Sequence, residues 1–243
     1  NSFIDDLLDL QSKYQLNYIC HNYFPPPKKH FVLNLASLND EVYFKTFDHI
    51  VEAIELSKAL GSKRYAFHAG FFIDIKLNEI GGNISKECLF DISTAENKFC
   101  DGYKLLQNIA GNELELYIEN NVYSSTNFKT YNGNNIFMLC DHSNYKSLKN
   151  KIDFNLLLDI AHLKVSSQSL GLSFEKQLIN LISKTDYIHI SDNDGLHDLN
   201  NKLNRNSNLL QLLSKQDFSK KVLTLEVYDD MDVIKESYQL LEE

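Results

Sequence analysis

With 243 residues and a formal net charge of −9, the chain is long enough for one large α/β barrel or two small domains, and its acidity argues against a phosphodiester backbone as a general partner. Cys20, Cys88, Cys100 and Cys140 are widely spaced and form no Cys-x-x-Cys pair, which argues against a zinc ribbon or a thioredoxin-type motif. No apolar run is long enough to cross a bilayer and no signal peptide is visible, so a cytoplasmic enzyme that does not engage membranes is expected.

In chain order, the periodicity predicts a helix over Asp6–Tyr14, a strand over Tyr18–Tyr23 and a long helix over Glu41–Leu60. Asn39 or Asp40 can cap that helix, Phe47, Ile50, Val51 and Ile54 line one face, and Gly61 sits where a C′ glycine belongs. A strand over Arg64–Ala69, a helix over Ala95–Ile109 and a strand over Leu114–Glu119 follow. Next come a weaker strand signal over Ile136–Cys140 and a strong one over Leu156–Ile160. The rest reads helix Phe174–Ser183, strand Tyr187–Ser191, helix Ser207–Leu213, strand Val222–Val227 and helix Val233–Leu241. Short apolar strands alternating with amphipathic helices predict a parallel sheet covered on both faces. The only prolines are Pro25, Pro26 and Pro27, and no Gly/Ser/Pro-rich linker interrupts the pattern, so one domain over 1–243 is expected.

Six of the strands end their apolar run with a potential metal ligand: His21 in NYICHNY, His68 in RYAFHAG, Glu119 in LYIENN, Asp159 in LLLDIAH, His189 in YIHISD and Glu226 in LTLEVY. In a parallel barrel all strand C-termini open onto one mouth, so such residues converge without being close in sequence. Carboxylates gathered at the ends of buried strands repel one another and lose solvation, and a divalent cation removes both penalties. For any one residue the plain alternative is a satisfied core histidine or a structural carboxylate; the six together point to a site.

The stretches HNYFPPP, LNLAS, AFHAGF, IENN, LLLDIAHLKVS, HISDNDGLHD and TLEVYD resemble the xylose-isomerase-like TIM-barrel superfamily, from about His21 to the C-terminus. The resemblance is greatest to its sugar phosphate isomerase/epimerase branch, which is related to ketose 3-epimerases and endonuclease IV. It implies a (β/α) barrel with strand one absent from or displaced in this chain. It also implies that Glu119, Asp159, His189 and Glu226 are metal ligands. His21 and His68 match further zinc-binding histidines of endonuclease IV, and His162 matches a histidine of its third site, which makes these three candidates for a second metal or for substrate contact. That third site also uses an Asp-x-His pair, whereas this chain has Asp198-Leu199-Asn200.

Several neighbours have two readings each. Lys164 is either a phosphate or carboxylate contact or a solvated lysine. Asn34, Asn120 and Asn121 either orient a polyol or belong to loops. Asp192, Asn193 and Asp194 read as turn residues or as the rim of the site. The Phe24–Pro27 run is stiff and reads as an aromatic wall or a rigid connection.

The function implied is a sugar or sugar-phosphate isomerase/epimerase that uses Zn, Mn, Co or Fe. It would abstract a proton next to a metal-bound carbonyl, through an enediolate, with Glu119 and Glu226 as the acid–base pair. The alternatives are an endonuclease IV-like phosphoesterase and a non-catalytic metal- or sugar-binding barrel. The expected partner is a small sugar or sugar phosphate rather than nucleic acid.

Overall fold

The computed structural model describes residues 3–242. Its contacts group the chain into two compact units, Asn1–Ile118 with Lys149–Asn155, and Glu119–Leu148 with Leu156–Glu243.

The first unit contains α1 (Phe3–Tyr14), β1 (Cys20–His21), α2 (Asp40–Ala59), β2 (Arg64–His68), a short 3-10 turn at Leu77–Glu79 and α3 (Ile92–Ala110). It also holds all but the last residue of β3 (Glu115–Glu119). Strands β1 and β2 run parallel, with Cys20 opposite Tyr65 and His21 opposite Ala66. Helix α2 begins because the Asn39 side chain accepts a hydrogen bond from the Glu41 amide at 3.0 Å. It ends at Gly61, whose φ of +71° takes the chain out of the helix. Between those stops α2 buries Ile50, Ala53, Ile54 and Leu56. Tyr65, Ala66 and Phe67 of β2 are buried in the same unit.

The second unit contains α4 (Ser125–Thr130), α5 (His142–Lys149, the last residue excepted), β4 (Asn155–Asp159, the first residue excepted), α6 (Ile160–Ser169), α7 (Phe174–Ile182), β5 (Tyr187–Ile190), α8 (Asn208–Leu213), β6 (Val222–Leu225) and α9 (Met231–Glu242). Strands β4, β5 and β6 are neighbours in that order and parallel. Their register sets Asp159 beside His189, and His189 beside Thr224. The ladder continues past β6, where the Glu226 amide donates to the Ile190 carbonyl at 3.0 Å. On the other side of β4, the Asn120 amide donates to the Leu157 carbonyl. Glu119, Asp159, His189 and Glu226 thus occupy the C-terminal ends of neighbouring strand segments.

Two expectations need correction here. Ile136–Cys140 is buried but is not a strand. Leu139 has φ of +59°, the Asn135 side chain accepts from the Phe137 amide, and Asn121 Nδ2 donates to the Met138 carbonyl. Side chains therefore satisfy the backbone groups that a strand would pair. The apolar run Leu156–Ile160 does not stay extended to its end, because the Asp159 carboxylate caps a helix that starts at Ile160 with no loop between. Helices α4, α5 and α6 were not expected. The first two are only 6 and 8 residues long and bury few side chains, so they carry little periodic signal. The other predicted helices are present with ends shifted by at most three residues.

The capping at α2 has a measurable consequence. Asn39→Ala should cost about 1 kcal/mol in urea or guanidinium unfolding, whereas Asn39→Asp should change stability by only about a few tenths of a kcal/mol. Equal losses in both variants would show that the cap is not what fixes this end of the helix.

Candidate metal centre

In the second unit, Glu119, Asp159, His189 and Glu226 offer ligand atoms that all lie within 4.8 Å of one another. Glu119, Asp159 and His189 are at most 2% exposed. His189 Nδ1 is the centre of the group, 2.8 Å from Glu226 Oε2 and 3.4 Å from Glu119 Oε1. Asp159 splits its two oxygens between two tasks. Oδ1 accepts from the His162 amide at 2.7 Å as the cap of α6, while Oδ2 is buried and has no hydrogen-bond partner among the described residues. A buried carboxylate oxygen left in that state costs free energy unless a cation meets it.

The titration of these groups reflects the crowding. Burial pushes the Asp159 carboxyl up to about 6; the positive charge on His162 works against this, and the nearby Glu119 adds to it. Burial lowers the affinity of His189 for its proton, but hydrogen bonds to Glu119 and Glu226 outweigh this and bring it to about 12. Partial burial pushes the Glu226 carboxyl up, yet His189 holds it below the ordinary value. One imidazolium thus partly offsets three carboxylates, and the group stays net negative. Three oxygen donors and one imidazole are also a donor set that suits a divalent transition metal, so the residues fit the group that the sequence implies.

The surrounding residues hold the ligands from behind. Asn120, directly after Glu119, clasps the backbone of Asp159: its Nδ2 donates to the Asp159 carbonyl at 2.9 Å and its Oδ1 accepts from the Asp159 amide at 2.7 Å. Its own carbonyl lies 2.9 Å from His162 Nδ1. On the far side of that ring, Nε2 is 3.3 Å from Asp198 Oδ2. His162 is thereby held beside the group. Tyr187 Oη lies 3.3 Å from His189 Nε2, and the exposed Tyr228 donates to Glu226 Oε1 at 2.9 Å. The sequence reading assigned nothing to Tyr187, Asp198 or Tyr228. Tyr187 carries one usable signal, because a residue two positions before a strand ligand faces the same side of the sheet.

In the first unit, His21 and His68 end β1 and β2 with their rings 5.8 Å apart and nearly edge-on. Asn34 does not face a polyol: its Nδ2 meets the Phe71 and Ile73 carbonyls and Asp74 Oδ1, and its Oδ1 accepts from Ala36 and Phe71. Phe24 packs on Phe3, with ring centroids 5.8 Å apart. In the second unit, Asn121 Nδ2 donates to the Met138 carbonyl, the Asn121 backbone carbonyl accepts from Ser166 Oγ, and the Asn120 side chain is taken up by the Asp159 backbone. Lys164 pairs with a carboxylate of its own chain. Its Nζ is fixed by Asp192 Oδ1 and the Asn193 carbonyl, pinning the loop after β5. That loop is turn chemistry, with Asn193 accepting from Gly195 and Asp194 accepting from Leu196 and His197.

The model of the xylose isomerase-like TIM barrel family matches residues 2–243. The chain belongs to that family. Proteins of known structure with this fold include a D-tagatose 3-epimerase-like protein, at 20% identity and TM-score 0.73 over 98% of this chain and 80% of that one. The 3-keto-D-glucoside 4-epimerase YcjR from E. coli matches at 12% identity and TM-score 0.64, over 98% and 84%. Endonuclease IV from Thermus thermophilus matches at 14% identity and TM-score 0.61, over 98% and 80%. No curated protein matches. At these identities the likeness is one of fold, here the α/β TIM-type barrel. The Asn200 side chain accepts from Ser191 Oγ at 3.0 Å and its φ is +46°, so this residue is spent on the turn. No helix among the described residues is long and apolar enough to cross a membrane.

If the Asn120 clasp fixes Asp159, Asn120→Ala should lower unfolding free energy by about 2–3 kcal/mol, since two buried hydrogen bonds are lost and their partners stay desolvated. It should also weaken zinc binding by about tenfold or more, as expected when a group orienting a ligand is removed. Unchanged zinc affinity by competition titration would show that Asp159 keeps its place without the clasp.

Proposed function

We propose that this chain is a divalent-metal-dependent sugar or sugar-phosphate isomerase/epimerase in which Glu119 and Glu226 exchange a proton with a carbon next to a carbonyl. The observation that carries this reading is the group Glu119, Asp159, His189 and Glu226, with the buried Asp159 Oδ2 turned to no other partner among the described residues. These four residues would hold the ion, which supplies charge stabilisation at the carbonyl oxygen and so acidifies the neighbouring C–H bond. Zn, Mn, Co and Fe all accept this ligand set. The substrate class is supported by fold neighbours that are themselves named sugar epimerases, among them an L-ribulose 3-epimerase.

The chain's own residues then have distinct tasks. Glu119 and Glu226 both border His189 Nδ1, so both carboxylates reach the same small volume. One removes the proton and leaves an enediolate, which is planar at the reacting carbon. The other, which enters protonated, delivers its proton to the opposite face for epimerisation, or to the neighbouring carbon for isomerisation, where the remaining hydroxyl proton passes from one oxygen of the enediolate to the other. Asp159 serves binding rather than proton transfer, because one of its oxygens is committed to the helix cap. His21, His68 and His162 are assigned to substrate hydroxyls or to a second ion.

A phosphoesterase of the endonuclease IV kind is the second reading, and the fold likeness to that enzyme favours it. Against it stand the net charge of −9 and the Asn200 side chain tied to Ser191, where the resemblance calls for a metal-binding histidine. Metal content separates the two: one ion per chain is expected for the isomerase or epimerase, and three for the nuclease.

The decisive experiment is deuterium incorporation from heavy water across a set of ketoses, aldoses and their phosphates. Glu119→Gln and Glu226→Gln, each assayed at saturating metal, should lose on the order of 10²-fold or more in rate. Exchange that survives in Glu226→Gln but not in Glu119→Gln would fit one base per face. Full turnover in both variants with metal bound would remove both glutamates from the acid–base role. Asp159→Asn should act mainly on metal affinity, with activity restored by excess metal.

A further inference from the structure

We infer that Tyr187 is the positioning residue that selects the tautomer of His189 and so presents Nδ1 to the carboxylate cluster as a metal ligand; this rests on the metal-centre reading above. An imidazole can ligate a metal through one nitrogen only if that nitrogen carries no proton, and the proton must then sit on the other nitrogen with a partner. His189 is 2% exposed, so bulk water does not serve as that partner. Its Nε2 lies 3.3 Å from Tyr187 Oη, while Nδ1 faces Glu226 and Glu119 at 2.8 and 3.4 Å.

The location of Tyr187 suits that task. It lies two residues before His189 on β5, so both side chains stand on the same face of the sheet. Their rings meet edge-on, with centroids 5.3 Å apart and planes at 79°. Tyr187 is itself 2% exposed, which fixes the phenol against rotation into solvent. Thr224, the register partner of His189 on β6, donates its hydroxyl to the same phenol oxygen at 3.4 Å. With that bond the phenol oxygen keeps a lone pair that can accept from a proton on Nε2. An acceptor at Nε2 favours the ring form with the proton there and leaves the Nδ1 lone pair for the ion.

Tyr187→Phe keeps the ring that packs in the core and removes only Oη. The test measures zinc and cobalt(II) affinity by competition with a chelator, the visible spectrum of the cobalt form, and the ¹⁵N imidazole shifts of the zinc form. The expected result is a rise in the zinc dissociation constant of about 10- to 100-fold, the usual effect of losing a group that orients a metal ligand. In the wild type the ¹⁵N spectrum should show the His189 proton on Nε2 only, and the cobalt spectrum should change in the variant. Thermal unfolding of the metal-free forms checks that the variant folds, and Thr224→Val provides a second, milder probe in the same direction. A dissociation constant within twofold of wild type in Tyr187→Phe, with an unchanged tautomer, would overturn this inference and leave the metal centre standing. Failure of the wild-type protein to bind zinc or cobalt at all would overturn the metal-centre reading and the inference with it.

Discussion

Three carboxylates gathered around one imidazole set the terms for the second unit. Glu119, Asp159 and Glu226 repel one another, and burial strips away the water that would screen Glu119 and Asp159. Without an ion, His189 answers by keeping a proton and standing between Glu226 and Glu119. Much of the nearby structure is arranged so that this unfavourable group neither collapses nor opens to solvent.

The arrangement is achieved mostly with backbone. Parallel register alone sets Asp159 beside His189 and brings Glu226 onto the ladder through its amide. Asp159 then ends its strand and starts the next helix in a single residue, which leaves no loop in which the carboxylate could wander. The Asn120 side chain imitates a strand partner for the Asp159 backbone, so the chain beyond Glu119 keeps its place although β3 has ended. Each device fixes a ligand through main-chain contacts and keeps its side chain available for chemistry.

The polar loop residues show the same economy. Asn34, Asn121, Asn193 and Asn200 are all turned inward onto backbone or neighbouring side chains. Lys164 is consumed in the same way by Asp192 and Asn193. In sequence each of these side chains is indistinguishable from one that meets a sugar or a phosphate. The chain has few prolines and glycines, and asparagine side chains take over much of the hydrogen bonding in its loops.

The β-α alternation, the long capped helix before Gly61 and the ligand-type residue at the end of each principal strand are legible in the sequence. Those features are local: a period, a cap and a strand end are written within a few residues of one another. The sequence also carries the family, because HNYFPPP, AFHAGF, IENN and LLLDIAH occur in a fixed order. The folded chain alone shows which oxygen of Asp159 is taken by the helix cap, which nitrogen of His189 meets the carboxylates, and that Tyr187 stands behind that ring. It also shows that Ile136–Cys140 is a buried loop, since the side chains of Asn121 and Asn135 satisfy its backbone. The reason is common to all of these. A hydrogen-bond partner 37 or 39 residues away, as between His189 and Glu226 or Asn120 and Asp159, leaves no mark on the local pattern and exists only once the strands are in register.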